Sequence, residues 1–241
     1  MSAETPLCIT NISKAFNKSV LDDVNFSVQQ NQIFGFIGLN GQGKTTLIKI
    51  ILDLLDQDMG EVEIFGKSRV LPEARAKVCY LPEKFQPALY QTGFEFLNFV
   101  LSFYQCKVDE VEAYKICQNL DLSYQVLHEK IAKYSKGMTQ KLGLLAVFLS
   151  GADLIILDEP MSGLDPLARI ALKKELLDYR NKNKTIFFSS HILSDIDEIC
   201  NQIGVLHASK LRYLGTPAQF KGLHQASTLD LAFLAEISQQ K

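Results

Sequence analysis

No stretch of this 241-residue sequence reaches the roughly 18 consecutive apolar residues that a membrane-spanning helix requires. The first twenty residues also lack the charged-then-apolar pattern of a signal peptide. Charge of either sign is not in excess: the net value of −2 argues against a broad nucleic-acid or anionic-membrane footprint. Cysteine is scarce, with five residues (Cys8, Cys79, Cys106, Cys117, Cys200), an odd number without a CxxC pair. They read as small buried hydrophobes in a reducing compartment. Repeats, low-complexity tracts and long linkers are lacking too. These absences leave a cytoplasmic, intracellular protein as the expectation. What is there is ordinary for a soluble globular chain, 47% hydrophobic and 22% charged, and long enough to bury a sizeable core.

Residues 7–12, 20–28 and 32–37 carry the short apolar or alternating runs of strands, separated by polar turns. "FGFIGLNGQGKTTLIKIILDLL" then reads as strand, glycine-rich turn and helix. Residues 84–151 are mainly helical in pattern and open on an aromatic stretch with Phe85, Tyr90, Phe94, Phe96, Phe99, Phe103 and Tyr104. Beyond them the pattern alternates: "DLIILD" a strand, 166–182 a helix, "TIFFSS" a strand, 192–200 a helix, and "IGVLH" and "LRYLG" two more strands. Residues 216–241 read as a short helical tail. Strand–helix alternation on both sides of a helical block implies an α/β core with a helical insertion.

The glycine turn carries the sharpest chemistry. Gly38-Leu39-Asn40-Gly41-Gln42-Gly43-Lys44-Thr45, followed by Thr46, fits G-x-x-x-x-G-K-[ST]. Successive backbone N–H groups converge on one anion only where the chain bends without a Cβ clash, which glycine permits. The helix beginning at Lys44–Thr45 aims its N-terminal amides at the same anion. Lys44 is expected on the β- and γ-phosphates of the ligand, and the Thr45 hydroxyl on Mg²⁺. In "LIILDEP", Asp158 sits at the carboxyl end of an apolar strand, where ligands bind in open α/β sheets. Asp158 is expected to hold Mg²⁺ and Glu159 to act as general base on the attacking water.

"AKYSKGMTQKLGLLAVFLSG" places Met138, Leu142, Leu145 and Leu149 on one helical stripe, with Ser135 at the N-cap and Ser150–Gly151 at the stop. A hydroxyl, a cation and a glycine stand together at the positive end of that helix with no ligand of their own.

The P-loop, "LIILDEP", "SGLD" at 162–165 and "SSH" at 189–191 resemble, in order, the nucleotide-binding cassette of ABC transporters, and "YSKGM" resembles a variant of that family's LSGGQ signature. The resemblance runs from about residue 7 to residue 220. It implies a P-loop core, mostly a parallel sheet flanked by helices, with an N-terminal antiparallel β subdomain and an inserted helical subdomain. The implied division is one ATPase domain over 1–220, with core at 1–83 and 152–215, helical subdomain at 84–151, and a tail at 221–241. Two cassettes then pack head to tail, in a homodimer or heterodimer, and Ser135, Lys136 and Gly137 of one complete the ATP site of the other. Lys136 stands for the first glycine of the signature and either adds charge near the phosphates or is simply solvated.

Other roles follow from the same resemblance. Phe16 matches the aromatic that stacks on adenine, with a core phenylalanine as the competing reading. Asp165 matches the D-loop and His191 the switch histidine at the γ-phosphate; His128, His207 and His224 match nothing. Glu83, in "VCYLPEKF", stands where the family's Q-loop usually has glutamine. An ionised glutamate offers acceptors and charge but no donor, so its role departs from the family's. These variants look more like cassettes of ABC-2-type exporters than of importers. A separate integral-membrane permease is then the partner, and the protein sits peripherally on the cytoplasmic face of the membrane. Phe85 and Tyr90 are the candidate docking residues, while Phe96, Phe99 and Phe103, at helical spacing, are expected in the subdomain's own core. A soluble ABC-type ATPase or a regulatory ATP-binding module is the alternative.

Overall fold

A computed structural model describes residues 5–238. The chain begins with β1 (Leu7–Ala15) and β2 (Ser19–Val28), then β3 (Ile33–Ile37) and α1 (Lys44–Ile51). Next come β4 (Met59–Ile64), β5 (Lys67–Ser68), the single-turn α2 (Pro72–Arg75) and β6 (Val78–Leu81). A helical block follows: α3 (Gly93–Ser102), α4 (Glu110–Asn119), two 3₁₀ turns (Tyr124–His128 and Ile131–Lys133) and α5 (Lys136–Leu149). The chain continues through β7 (Leu154–Asp158), α6 (Pro166–Asn181), β8 (Thr185–Ser190), α7 (Leu193–Ile199), β9 (Gln202–His207) and β10 (Lys210–Gly215). It ends with α8 (Pro217–Leu223) and α9 (Leu229–Ser238).

Two sheets organise these elements. A six-stranded sheet runs β10-β9-β3-β8-β7-β6, parallel throughout except for the antiparallel edge strand β10. All positions of β3, β7 and β8 are buried, as expected of parallel strands covered on both faces. A four-stranded antiparallel sheet runs β2-β1-β4-β5. Between the sheets Phe26, Phe34 and Phe187 stack with centroids 5.0–6.1 Å apart, and α1 fills the same core with Leu47, Ile48, Ile50 and Ile51. The other face of the parallel sheet packs on α5, α6 and α7. Because β8 lies between β3 and β7, the carboxyl ends of all three strands open on one crevice.

The architecture is the α/β, P-loop arrangement expected, and the strands and helices flanking the crevice lie where the patterns put them. Several details differ. The stripe expected on α5 is only part of the story: every residue from Gln140 to Phe148 is buried and Leu149 is half-exposed, because the helix is wedged between β6 and the helical block. Phe96 is buried, but Phe99 and Phe103 are 54% and 70% exposed and pack edge to face on each other. Their expected place in the core is corrected: α3 turns only its Phe96–Leu97–Leu101 side inward. Cys79 and Cys117 are buried hydrophobes as read, whereas Cys106 is exposed, and all five thiols are free. The tail contains two helices, and the 220/221 boundary falls inside α8. On α9, Leu229, Ala232 and Phe233 join the main core. The parts of the sequence reading that fall on residues 1–4 and 239–241 lie outside the described residues.

Candidate active site

Three strand ends build the site. After β3 the chain turns through Gly41 and Gly43, both at positive φ, into α1. At Gly43 the need for glycine is steric as well as torsional: φ is +106° and a Cβ would stand 2.8 Å from Val20 Cγ1. Gly43 is also the N-cap of α1, with no side-chain cap bond, so the first amides of the helix keep their donors for an outside acceptor. Asn40, Gly41, Gly43, Lys44, Thr45 and Thr46 line a cavity of about 420 Å³, together with Glu83, Lys84 and Glu159. Gln42 points elsewhere, its Oε1 accepting from the Ala208 N–H at 3.0 Å, so it braces the loop on the β9–β10 turn. Gly38 is not among the residues lining the cavity, and its carbonyl accepts from Lys44 Nζ at 2.7 Å.

At the end of β7 the two carboxylates are held differently. Asp158 accepts from the Thr45 hydroxyl at Oδ2 (2.8 Å) and from the Ser189 hydroxyl at Oδ1 (2.6 Å). The Ser189 oxygen in turn accepts the Glu159 N–H at 3.0 Å. Glu159 has φ +51°, a left-handed conformation that costs a non-glycine residue about 1–3 kcal/mol. Its Oε2 accepts from both the backbone N–H (3.2 Å) and Nδ1 (2.7 Å) of His191. A carboxylate only accepts, so Nδ1 carries the proton and Nε2 is left for a ligand. Glu159 Oε1 lies 3.1 Å from Lys44 Nζ, an ion pair by distance without hydrogen-bond alignment. Tyr80, on the neighbouring β6, has its phenol pushed up to about 12, first by burial and then by the charges of Asp158 and Glu83, so it stays neutral here.

The donor set fits magnesium. Thr45 and Asp158 present hard oxygen ligands 2.8 Å apart at a helix N-terminus. Among the described residues no cluster of three or more His, Cys, Asp or Glu side chains forms a cage. Magnesium is commonly held by one or two carboxylates plus phosphate oxygens, and Asp158 with Thr45 would supply the protein's share.

The remaining expected residues stand apart. Phe16, on the β1–β2 turn, is 61% exposed with Lys14 Nζ 5.5 Å above its ring, which removes the core reading. It does not line the cavity. Ser135 caps α5 by accepting the Met138 N–H at 3.2 Å, and neither it nor Gly137 lines the cavity. The Lys136 side chain lies along Gly163, within 3.5 Å of where a Cβ would be. Asp165 caps α6 through the Ala168 N–H at 2.9 Å, the bond that chiefly holds its carboxyl below the usual range. Sequence reasoning passed over Ser189, treating "SSH" only as a lead-in to His191. The available signal was the strand register: Ser189 pairs with Asp158 across β7–β8.

A family model described as ABC transporter matches residues 21–162. The "ABC-type transporter ATP-binding protein EcsA" of Bacillus subtilis (strain 168) is 33% identical over 236 residues, covering 93% of this chain and 94% of that one. The "Uncharacterized ABC transporter ATP-binding protein sll0415" of Synechocystis sp. is 36% identical over 205 residues. That match covers 84% of this chain but 58% of the relative, so the chain spans little more than half the relative's length. A solved structure described as the "ATP binding subunit of ABC transporter" superposes with a TM-score of 0.89 at 30% identity, over 97% of this chain and all of that one.

Proposed function

This chain belongs to the ABC transporter family of ATP-binding cassettes, and from that premise we propose that it hydrolyses MgATP to drive transport through a separate membrane permease. The observation that carries the reading is Glu159: a carboxylate beside the phosphate cavity, tied to His191 and facing Lys44. The direction is export, on the strength of the "YSKGM" and "YLPE" variants. No described helix is long and apolar enough to cross a membrane. The permease is a separate integral-membrane chain in this reading, with the cassette peripheral on it. The ATPase domain has its core in β1–β6 and β7–β10 and its helical subdomain at 84–151, and the tail helices α8 and α9 pack on that core rather than forming a separate unit.

The mechanism follows from these groups. The Gly41–Thr46 amides and Lys44 receive the phosphates, and Phe16, exposed on its turn, stacks on the adenine. Lys44 exchanges Glu159 for phosphate oxygens, which frees the Glu159 carboxylate. Thr45 and Asp158 would hold magnesium, which when bound would offset the negative charge of the phosphates. Glu159 accepts a proton from water while the His191 Nδ1–H holds its carboxylate in line, and Nε2 donates to the γ-phosphate only when the ring carries both protons. The Ser135 hydroxyl and Gly137 amide, without a ligand of their own, serve the γ-phosphate of a second cassette packed head to tail, with Asp165 at the contact between the two sites.

Glu159→Gln tests the proposal. It keeps the hydrogen-bonding shape but removes the basicity, so MgATP still binds, turnover falls by about a thousandfold or more, and an ATP-bound dimer accumulates on size-exclusion chromatography. Hydrolysis at the parent rate would remove Glu159 from the role.

A further inference from the structure

Glu83 and Lys84 form the wall between the nucleotide cavity and a second cavity of about 370 Å³. The first turns of α5 and Ser162 line the second cavity, which the mechanism above does not use. The segment bearing Glu83 is seated directly on α5. At Gly143 a Cβ would come within 2.6 Å of Leu81 Cδ1 and 3.0 Å of the Phe85 ring, so residues on both sides of Glu83 touch the helix where it has no side chain. Three residues earlier, on the same helical face, is Gln140. Gln140 is 8% exposed and borders the second cavity, and its amide nitrogen is sealed from solvent with no hydrogen-bond acceptor.

A buried amide without a partner is costly, and native structures rarely keep one. The matching group is at hand. Glu83 is exposed on the wall of the same cavity, its carboxylate is an acceptor only, and it makes no hydrogen bond or ion pair among the described residues. The pairing is also directional. A glutamine at position 83 would pair with Gln140 in either sense, whereas a glutamate there requires a donor opposite. Lys84 and Lys136 border the cavity and offset the carboxylate's charge.

We propose that Gln140 is a positioning residue that receives Glu83: the Gln140 amide donates to the Glu83 carboxylate and ties the edge of the nucleotide cavity to the signature helix. Glu83 then has two destinations, the nucleotide cavity and Gln140. Its passage between them carries the state of the ATP site to α5, little more than one turn from Ser135. The inference rests on the reading of these cavities as parts of an ATPase, and its test separates the two.

The experiment is a charge-exchange cycle of Gln140→Glu, Glu83→Gln and the double variant. Gln140→Glu sets two carboxylates face to face, and its kcat falls at least tenfold while the monomer's affinity for ATP stays within twofold. The double variant restores a donor opposite an acceptor, and its kcat returns to within about threefold of Glu83→Gln alone. Effects that simply multiply, or a Gln140→Glu protein with parent kcat, overturn the proposal. A second measurement does not depend on turnover or on the folding of Gln140→Glu. With ¹⁵N-labelled glutamine, the Gln140 side-chain amide signals of the full chain shift on Glu83→Ala. If they stay put, Gln140 does not receive Glu83, whatever the ATPase assay reads; if they move and no variant hydrolyses ATP, the pairing stands and the ATPase reading falls.

Discussion

Ser189→Ala tests whether one hydroxyl organises both carboxylates. The Ser189 oxygen is fully buried, donates to Asp158 Oδ1 at 2.6 Å and accepts the Glu159 N–H at 3.0 Å. Alanine removes both bonds. A hydrogen bond to a charged group contributes about 1.5–3 kcal/mol, and a buried N–H left without a partner costs about 1–3 kcal/mol. Together the loss is about 2.5–6 kcal/mol. At about 2–4 °C per kcal/mol for a chain of this size, the melting temperature drops by about 5–24 °C. The functional loss has a separate origin. Glu159 is held at φ +51°, and the bond from its N–H is one of those that keep it there. Without it the backbone can relax and carry the carboxylate off its line to His191. Misplacing a catalytic group by about 1 Å costs on the order of a hundredfold in rate. The assays are calorimetry and steady-state hydrolysis across a magnesium titration, with Ser189→Thr as the control that keeps the hydroxyl. Alanine is expected to lower both kcat and the apparent magnesium affinity, and threonine to recover most of each. A Ser189→Ala protein with parent melting temperature and kcat would refute the reasoning outright.

Two further outcomes bear on the ATP site. Ser135→Arg leaves ATP binding by the monomer intact but blocks ATP-driven dimerisation; mixed with Lys44→Ala it forms a dimer with one undamaged composite site, and activity partly recovers if the signature acts in trans. Phe16→Ala, at an exposed position, leaves the melting temperature unchanged and weakens ATP binding about tenfold or more, from an aromatic stack of about 1–3 kcal/mol per base, as read by nucleotide titration.

The sequence was most legible where backbone geometry and chemistry demand the same residues. Gly43 must be glycine for its torsion and for its contact with Val20, and the helix it opens must start at Lys44. The apolar runs of β3, β7 and β8 could only be buried parallel strands once helices were seen between them. Legibility failed where placement depends on what another element covers. Phe99 and Phe103 have the spacing of a core face, yet α3 is covered on one side only. The α5 stripe widened into a wholly buried segment because β6 packs on it at Gly143, a contact that local periodicity does not contain. Strands β4 and β6 are short, and nothing in their own residues sets them in different sheets. Ser189 was hidden for the same reason: its partners lie about thirty residues away across a strand pair.

The exposed aromatics lead to the last prediction, which concerns the permease. The expected pair was Phe85 and Tyr90, but Phe85 is half-buried, packed edge to face on Phe96 at 5.4 Å, and belongs in part to the fold. Leu89 and Tyr90 are 61% and 77% exposed, and with Phe99 and Phe103 they leave apolar side chains of the helical block in solvent. None of these four lines the nucleotide cavity, so a docking role for them can be tested apart from ATP binding. Burying one such side chain contributes about 1.5–3 kcal/mol. Losing two weakens a docked complex by two decades or more. Leu89→Ser with Tyr90→Ser, and separately Phe99→Ser with Phe103→Ser, therefore leave melting temperature and ATP binding unchanged. Whichever pair receives the permease releases the protein from the membrane fraction when replaced. A Phe85→Ala variant behaves differently, losing stability before it loses docking, because its ring is already in use against Phe96 and the face of α5. If the unaltered protein has no membrane partner after crosslinking in cells, the aromatic face has no permease to meet. The nucleotide site would then have to drive something soluble.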